Sequence, residues 1–256
     1  MLSPFSFGIR PVARNLSSSA LKYAALTSRT APRVGIDAFK DGQHAEFVAA
    51  AAKASCLPDL RGLPEVIVTG RANVGKSTLL NAVANRKDLF HVGKTPGKTK
   101  MLNFFRIGAV PGHLILVDAP GYGARGRREW GALFDAYVKR RRELRRIYIL
   151  FNAKHGISPV DEAMLASLEA QCIRSREVYE SADHSSPQPP PLTMQAIITK
   201  ADLVEKKSAV LGMLAQIKEY APSCLDPIVT AAGSRSLPQF GIPEIRASVA
   251  QACGLV

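Results

Sequence analysis

The sequence predicts an α/β protein: a mostly parallel six-stranded sheet with one antiparallel hairpin strand and helices on both faces. Three observations carry that reading. Short β-branched or apolar runs recur from residue 65 onward, helical patterns separate most of them, and one pair of runs has only a Gly/Pro turn between them. The first run, Glu65–Thr69, leads through a Gly-rich stretch into a helical pattern at Lys76–Asn85. Met101–Ile107 and His113–Val117 are the pair joined by the short turn, which makes them an antiparallel hairpin. Trp130–Arg146 reads as helix, Ile147–Asn152 as strand and Val160–Ala170 as helix. Gln195–Thr199, Val204–Tyr220, Pro227–Thr230 and Ile242–Cys253 continue the alternation as strand, helix, strand and helix. Spacings of this length leave room for crossover helices, which parallel strands require.

The 256 residues divide unevenly. Residues 1–36 hold five basic side chains (Arg10, Arg14, Lys22, Arg29 and Arg33), six serines and no acid. That composition is expected of a mitochondrial transit peptide; a plastid address shares it, and a plain disordered tail is the bland reading. Residues 37–62 read as a lead-in. Residues 63–256 read as the main folded domain, with a polar, Pro-rich loop near 180–192 (HSSPQPPP at 184–191) that cannot continue a helix. No apolar run approaches the 18 residues of a bilayer span. Cys56, Cys172, Cys224 and Cys253 lack metal-ligand spacing and are expected as reduced, mostly buried thiols. The net charge of +13 points to an anionic partner or to targeting, and its location decides between them.

Chemistry begins at residue 70. Gly70, Arg71, Ala72, Asn73, Val74, Gly75, Lys76, Ser77 and Thr78 spell GRANVGKST, the GxxxxGKS pattern between a strand and a helix. Glycines let backbone wrap phosphate oxygens, and helix-start N–H groups carry partial positive charge. Lys76 suits the β- and γ-phosphates and the Ser77 hydroxyl suits Mg²⁺. Asp118 ends an apolar strand, HLILVD, where an acid holds Mg²⁺ through water; Pro120 and Gly121 follow, and the Gly121 N–H suits a γ-phosphate. Thr199–Lys200–Ala201–Asp202 names the base. A carboxylate at Asp202 accepts from guanine N1–H and the exocyclic amine, while adenine has no matching donor pair. Lys200 would lie over the purine plane. An exposed backbone N–H at Thr230–Ala231 would meet guanine O6.

GRANVGKST, KTPGKTK at Lys94–Lys100, DAPGYG at Asp118–Gly123 and TKAD together resemble the EngB/YihA family of translation-factor-related, Era-like GTPases, in its mitochondrial type. Phe47–Pro58 with Leu63–Glu65, and Gly241–Ile245, extend the likeness over roughly residues 45–253. The resemblance implies a P-loop GTPase fold and GTP hydrolysis, slow unaided, as a molecular switch. It implies a role in assembly of the large ribosomal subunit, which for an organellar member is that of the mitochondrion. It also implies that Gly97, Lys98 and Thr99 form the first switch, with Thr99 on Mg²⁺; spacing alone does not choose Thr99 over Thr95. The chain departs from the bacterial pattern at Ala72, Val74, Lys100, Asn152 (an acid in the relatives) and the longer loop near 180–192.

Ras-like enzymes orient water with Gln after the switch glycine; here Tyr122 stands there. Slow intrinsic turnover is therefore expected, with help from elsewhere. The catalytic set is Lys76, Thr99, Gly121 and Asn73, the last because related GTPases use that Asn to bind K⁺. The metal set is Ser77, Thr99 and Asp118. Residues 125–146 hold nine basic and three acidic side chains, a net of +6, and read as a basic helix for ribosomal RNA, with a solvated face as the bland alternative. Trp130 reads as packing. Two competing functions remain at this level: a GTP-gated regulator of mitochondrial translation acting on a protein partner, and a nucleotide-binding module with negligible turnover. No coiled coil argues for a dimer, so a monomer is expected.

Overall fold

The computed structural model describes residues 36–40, 42–90, 101–123, 128–183, 185, 188–232 and 239–255. Residues 1–35 of the expected presequence, the KTPGKTK stretch with Gly97, Lys98 and Thr99, and residues 184, 186 and 187 of the Pro-rich loop lie outside them. The side chain of Trp130 does too, so its expected packing role is not described.

The strands are β1 (Ala45–Ala51), β2 (Glu65–Gly70), β3 (Leu102–Ile107), β4 (Leu114–Asp118), β5 (Leu144–Asn152), β6 (Thr193–Thr199) and β7 (Leu225–Val229). The helices are α1 (Lys76–Val83), α2 (Arg128–Arg140), α3 (Pro159–Ser181), α4 (Lys207–Tyr220) and α5 (Ile242–Ala252). One sheet runs in the order β1-β3-β4-β2-β5-β6-β7. β4, β2, β5, β6 and β7 are parallel, and β3 is antiparallel to both β4 and β1. The expected hairpin strand is thus the one strand that runs against the rest.

Among the described residues the sheet has seven strands rather than the expected six. The added strand, AEFVAAA, comes from the lead-in, which therefore belongs to the domain. Its alanines have little β preference, and pairing with the open edge of β3 overrides that: Ala45 and Ala51 are buried. Along the central strands side chains alternate between two cores. Val66 and Val68 face one with Leu79, Leu80 and Val83 of α1 and Ile245 and Val249 of α5. Ile67, Val117 and Ile149 face the other with Tyr137 of α2, Leu165 of α3 and Val210 of α4. Both faces are covered, as a parallel sheet requires.

The basic helix expected over 125–146 is two elements with a turn between. α2 ends at Arg140, and β5 begins at Leu144, three residues earlier than expected. The reason is burial. Arg141 turns inward onto Glu65, at the start of β2: its Nε lies 3.0 Å from both Glu65 oxygens, and Tyr137 Oη donates to Glu65 Oε2 at 2.5 Å. Arg146 is also buried, its Nη1 donating to the Ser248 carbonyl at 2.9 Å and its Nε to Thr193 Oγ1 at 3.0 Å. Lys139, Arg140 and Arg142 are exposed. Residues 124–127 and the side chain of Arg128 lie outside the description. α3 is twice as long as expected, because Leu168 and Cys172 carry its buried stripe onward.

A buried carboxylate left without its guanidinium is costly. Arg141→Ala should lower stability by about 3 kcal/mol, whereas Arg140→Ala should stay within about 0.5 kcal/mol. Urea unfolding checks both, and equal effects would contradict the inward placement of Arg141.

Candidate functional site

β2 lies inside the sheet and delivers its last residue, Gly70, to the C-terminal edge, where parallel α/β sheets place ligands. The turn then runs through Arg71–Gly75 into α1. A Cβ on Gly70 would lie 3.0 Å from the Leu150 carbonyl and from Val74 Cγ1, so a larger residue at the strand end would have to push its neighbours aside. Asn73 and Gly75 take the left-handed conformation, with φ of 62° and 105°. Those two left-handed residues bend the chain from the strand end into the start of α1, the strand–loop–helix arrangement in which helix-start N–H groups can meet a phosphate.

Lys76 and Asp118 meet there, with Nζ 2.6 Å from Oδ1 and both side chains largely buried. Burial pushes the Asp118 carboxyl above its ordinary value, and the Lys76 ammonium holds it back. Ser77 is half-buried in the first turn of α1. A hydroxyl and a buried carboxylate are hard oxygen donors, and Mg²⁺ takes one or two such protein ligands beside phosphate oxygens and water. The donor set of Ser77 and Asp118 fits that ion.

After Asp118 the chain turns through the buried Pro120 onto the P-loop. A Cβ on Gly121 would stand 3.0 Å from Ala72 N and 3.2 Å from Ala72 Cα, so only glycine permits this seat without displacing backbone. The next residue pairs with the loop as well: Tyr122 N–H donates to the Gly70 carbonyl at 3.2 Å, and Tyr122 bridges Arg71 in parallel. The Tyr122 side chain turns away into the core.

The TKAD segment is tied to the same loop. Thr199 Oγ1 donates to the Val74 carbonyl at 2.6 Å, and Lys200 Nζ to the Asn73 carbonyl at 3.0 Å. Lys200 has a φ of 56°, and a Cβ on Gly75 would touch its Cε at 3.5 Å, so its alkyl stem lies across the P-loop. Asp202 is half-buried in the short turn Ala201–Leu203. The expectation of a free N–H at Thr230–Ala231 is corrected. Ala231 N–H donates to the Phe240 carbonyl at 3.2 Å and Thr230 N–H to the Ile198 carbonyl at 2.7 Å, and both residues are buried. The structure thus gathers residues 70–78, Asp118, Pro120, Gly121, Thr199, Lys200 and Asp202 at one end of the sheet.

Two further residues at this end were not selected as site residues from the sequence. Asp161, in the first turn of α3, accepts from the Tyr122 hydroxyl at 2.9 Å and lies 3.7 Å from Arg71 Nη1. The signal available in the sequence was the capping pattern Ser158–Pro159–x–Asp161. Asn152, where an acid had been the pattern, is buried and accepts from Lys154 N–H at 2.9 Å, forming a local turn.

Comparison with known proteins agrees with this geometry. Residues 65–178 match a family described as 50S ribosome-binding GTPase. A probable GTP-binding protein EngB of Roseobacter denitrificans is 34% identical over 211 residues, covering 80% of this chain and 86% of the relative. The same-named protein of Pelobacter propionicus is 44% identical over 147 residues, covering 56% of this chain and 72% of the relative. Among solved structures, Toc33 of Arabidopsis thaliana in complex with Mg²⁺ and GMPPNP aligns with a TM-score of 0.53 at 13% identity, over 75% of this chain and 84% of that one. That likeness is one of fold.

Lys76→Met would leave Asp118 buried with no cation and raise its carboxyl further. A raised carboxyl holds its proton in the folded chain at pH values where the unfolded chain has released it. The stability deficit of the variant should therefore grow as pH rises from about 4 to about 7. Urea unfolding of variant and parent at both ends of that window checks this; a deficit that does not change with pH would exclude Asp118 as the responding group.

Proposed function

The chain belongs to the EngB family of GTP-binding proteins and is a GTPase, and from that premise we propose that it is a GTP-dependent switch acting in assembly of the mitochondrial large ribosomal subunit. In this reading the Gly70–Thr78 loop wraps the phosphates, Lys76 neutralises them, and Asp202 selects guanine. Gly121 offers its N–H to the γ-phosphate, while Ser77, Asp118 and Thr99 would hold Mg²⁺. The ion would supply positive charge against the negative charge that develops on the phosphate oxygens.

One observation carries the ribosomal part. α2 starts just beyond the Asp118–Gly123 turn, and its far end exposes Lys139 and Arg140, with Arg142 in the following turn. A basic surface joined by one helix to a nucleotide-sensing turn suits a phosphate backbone bound according to nucleotide state. The 50S ribosome in the description of the matching family supports the same partner. The acid-free, Arg- and Ser-rich composition of residues 1–36 supports the mitochondrial address.

Asn73 bears on turnover. Its carbonyl is engaged by Lys200; its side chain is the group proposed to help hold K⁺ near the β- and γ-phosphates. Turnover of GTP should be faster in K⁺ than in equimolar Na⁺, and equal rates would leave Asn73 a loop residue only.

The ribosomal reading is tested with Arg140→Glu and Arg142→Glu together, leaving Arg141 in place because of its buried partner. After cell fractionation the parent should appear in mitochondria. There it should co-sediment with large-subunit particles more strongly with a non-hydrolysable GTP analogue than with GDP, and the double variant should lose that while keeping GTP affinity. Co-sedimentation unchanged in the variant would exclude the basic surface. Nucleotide-dependent capture of a protein in place of ribosomal particles would favour a translation regulator, and absence of turnover a simple binding module.

A further inference from the structure

We infer that Asp161 is a positioning residue for nucleotide discrimination: it holds Tyr122, and through it Gly121, against the P-loop in the arrangement that favours triphosphate over diphosphate. The inference rests on the nucleotide site proposed above.

Three elements meet on this one carboxylate. From the turn after β4, Tyr122 Oη donates to Asp161 Oδ1 at 2.9 Å. From the P-loop, Arg71 Nη1 stands 3.7 Å from Oδ2. From α3 itself, the Ser158 N–H and hydroxyl donate to Oδ2 at 2.9 and 2.7 Å. Asp161 is 1% exposed. Burial and the Asp161 charge both push the Tyr122 phenol well above its ordinary range, so the hydroxyl is the donor at every working pH.

The division of labour between the two oxygens separates positioning from capping. Closing the first turn of α3 uses Oδ2 alone; Oδ1 contributes nothing to the helix and is given to Tyr122 across 39 residues of sequence. The anchor is rigid, since α3 runs 23 residues and packs Leu165 and Leu168 into the core. The tethered segment is a short turn in which Pro120 fixes its own φ but Gly121 and Gly123 are intrinsically free in theirs. Tethering it sets the place of Gly121, which lies one residue before Tyr122 and has no clearance for a side chain over Ala72. In the site proposed above Gly121 meets the γ-phosphate alone, whereas the P-loop meets phosphates that both nucleotides carry. Freeing the turn should therefore weaken triphosphate binding selectively.

Tyr122→Phe removes the hydroxyl and keeps the ring. Affinities for GDP and for a non-hydrolysable GTP analogue, measured by fluorescence titration, should separate: the analogue should bind about tenfold more weakly, and GDP should stay within about twofold. Asp161→Ala should give the same loss of the affinity ratio, the double variant no more than either single, and Asp161→Asn, which keeps an acceptor for the phenol, should recover most of it. An unchanged ratio in Tyr122→Phe overturns the inference, as does equal weakening of both nucleotides, which is what a purely structural bond would produce. Should Asp161→Ala fail to fold, Tyr122→Phe decides alone. Absence of GDP binding by the parent would instead overturn the nucleotide site itself.

Discussion

Two opposite charges taken out of water at the C-terminal edge of the sheet organise this molecule. Lys76 and Asp118 lie 2.6 Å apart with little solvent contact. Desolvating both costs about as much as their attraction returns, so such a pair adds little net stability. What it enforces is geometry. Asp118 must end β4 and Lys76 must begin α1, and β2 must run between β4 and β5 to bring them together. The rest of the sheet supplies the apolar burial that maintains them there. In the proposed site a phosphate at Lys76 would replace one anionic partner by another, so the lysine would keep a countercharge.

The opposite edge of the sheet carries a second buried ionic group, and the two are linked. Glu65 opens β2, the strand that ends at the P-loop, and it holds Tyr137 and Arg141 at the far end of α2. The near end of α2 follows the Asp118–Gly123 turn. The helix is therefore fixed at its C-terminal end to the base of the strand whose tip carries the nucleotide loop. A shift of the turn is resisted at that end, and the exposed Lys139, Arg140 and Arg142 sit beside the fixed point. Of the net positive charge between 125 and 146, part is structural, because Arg141 and Arg146 serve the core. What remains for a partner is smaller and more localised than the sequence suggested.

Legibility in the sequence followed the range of the interaction. The P-loop, the Asp118 strand end and TKAD were legible because each depends on a few adjacent residues between recognisable elements. The alternation of strands and helices was legible from apolar periodicity. β1 was not, because the four alanines of AEFVAAA dilute the strand preference of Phe47 and Val48, and its conformation is completed by pairing with β3. The boundary inside RRRELRR was not, because an arginine that pairs with Glu65 and one that faces water look alike in one dimension. The N–H of Ala231 read as free because its partner, Phe240, is not one of its near neighbours in sequence. Asp161 was passed over because its sequence neighbours offer it only a local capping role; its bond to Tyr122 is visible only once α3 and the β4 turn are side by side.

The same bond explains why the residue after Gly121 does not do what a glutamine does there. A water-orienting side chain must reach toward the γ-phosphate and present a donor and an acceptor together. Tyr122 points into the core, its one hydroxyl proton already given to Asp161. Restoring the glutamine-like role would require breaking a buried bond to a charged acceptor, which is costlier than breaking one at the surface. With its hydroxyl committed to Asp161, Tyr122 is not placed to orient water, so the groups that do so must come from elsewhere than residue 122.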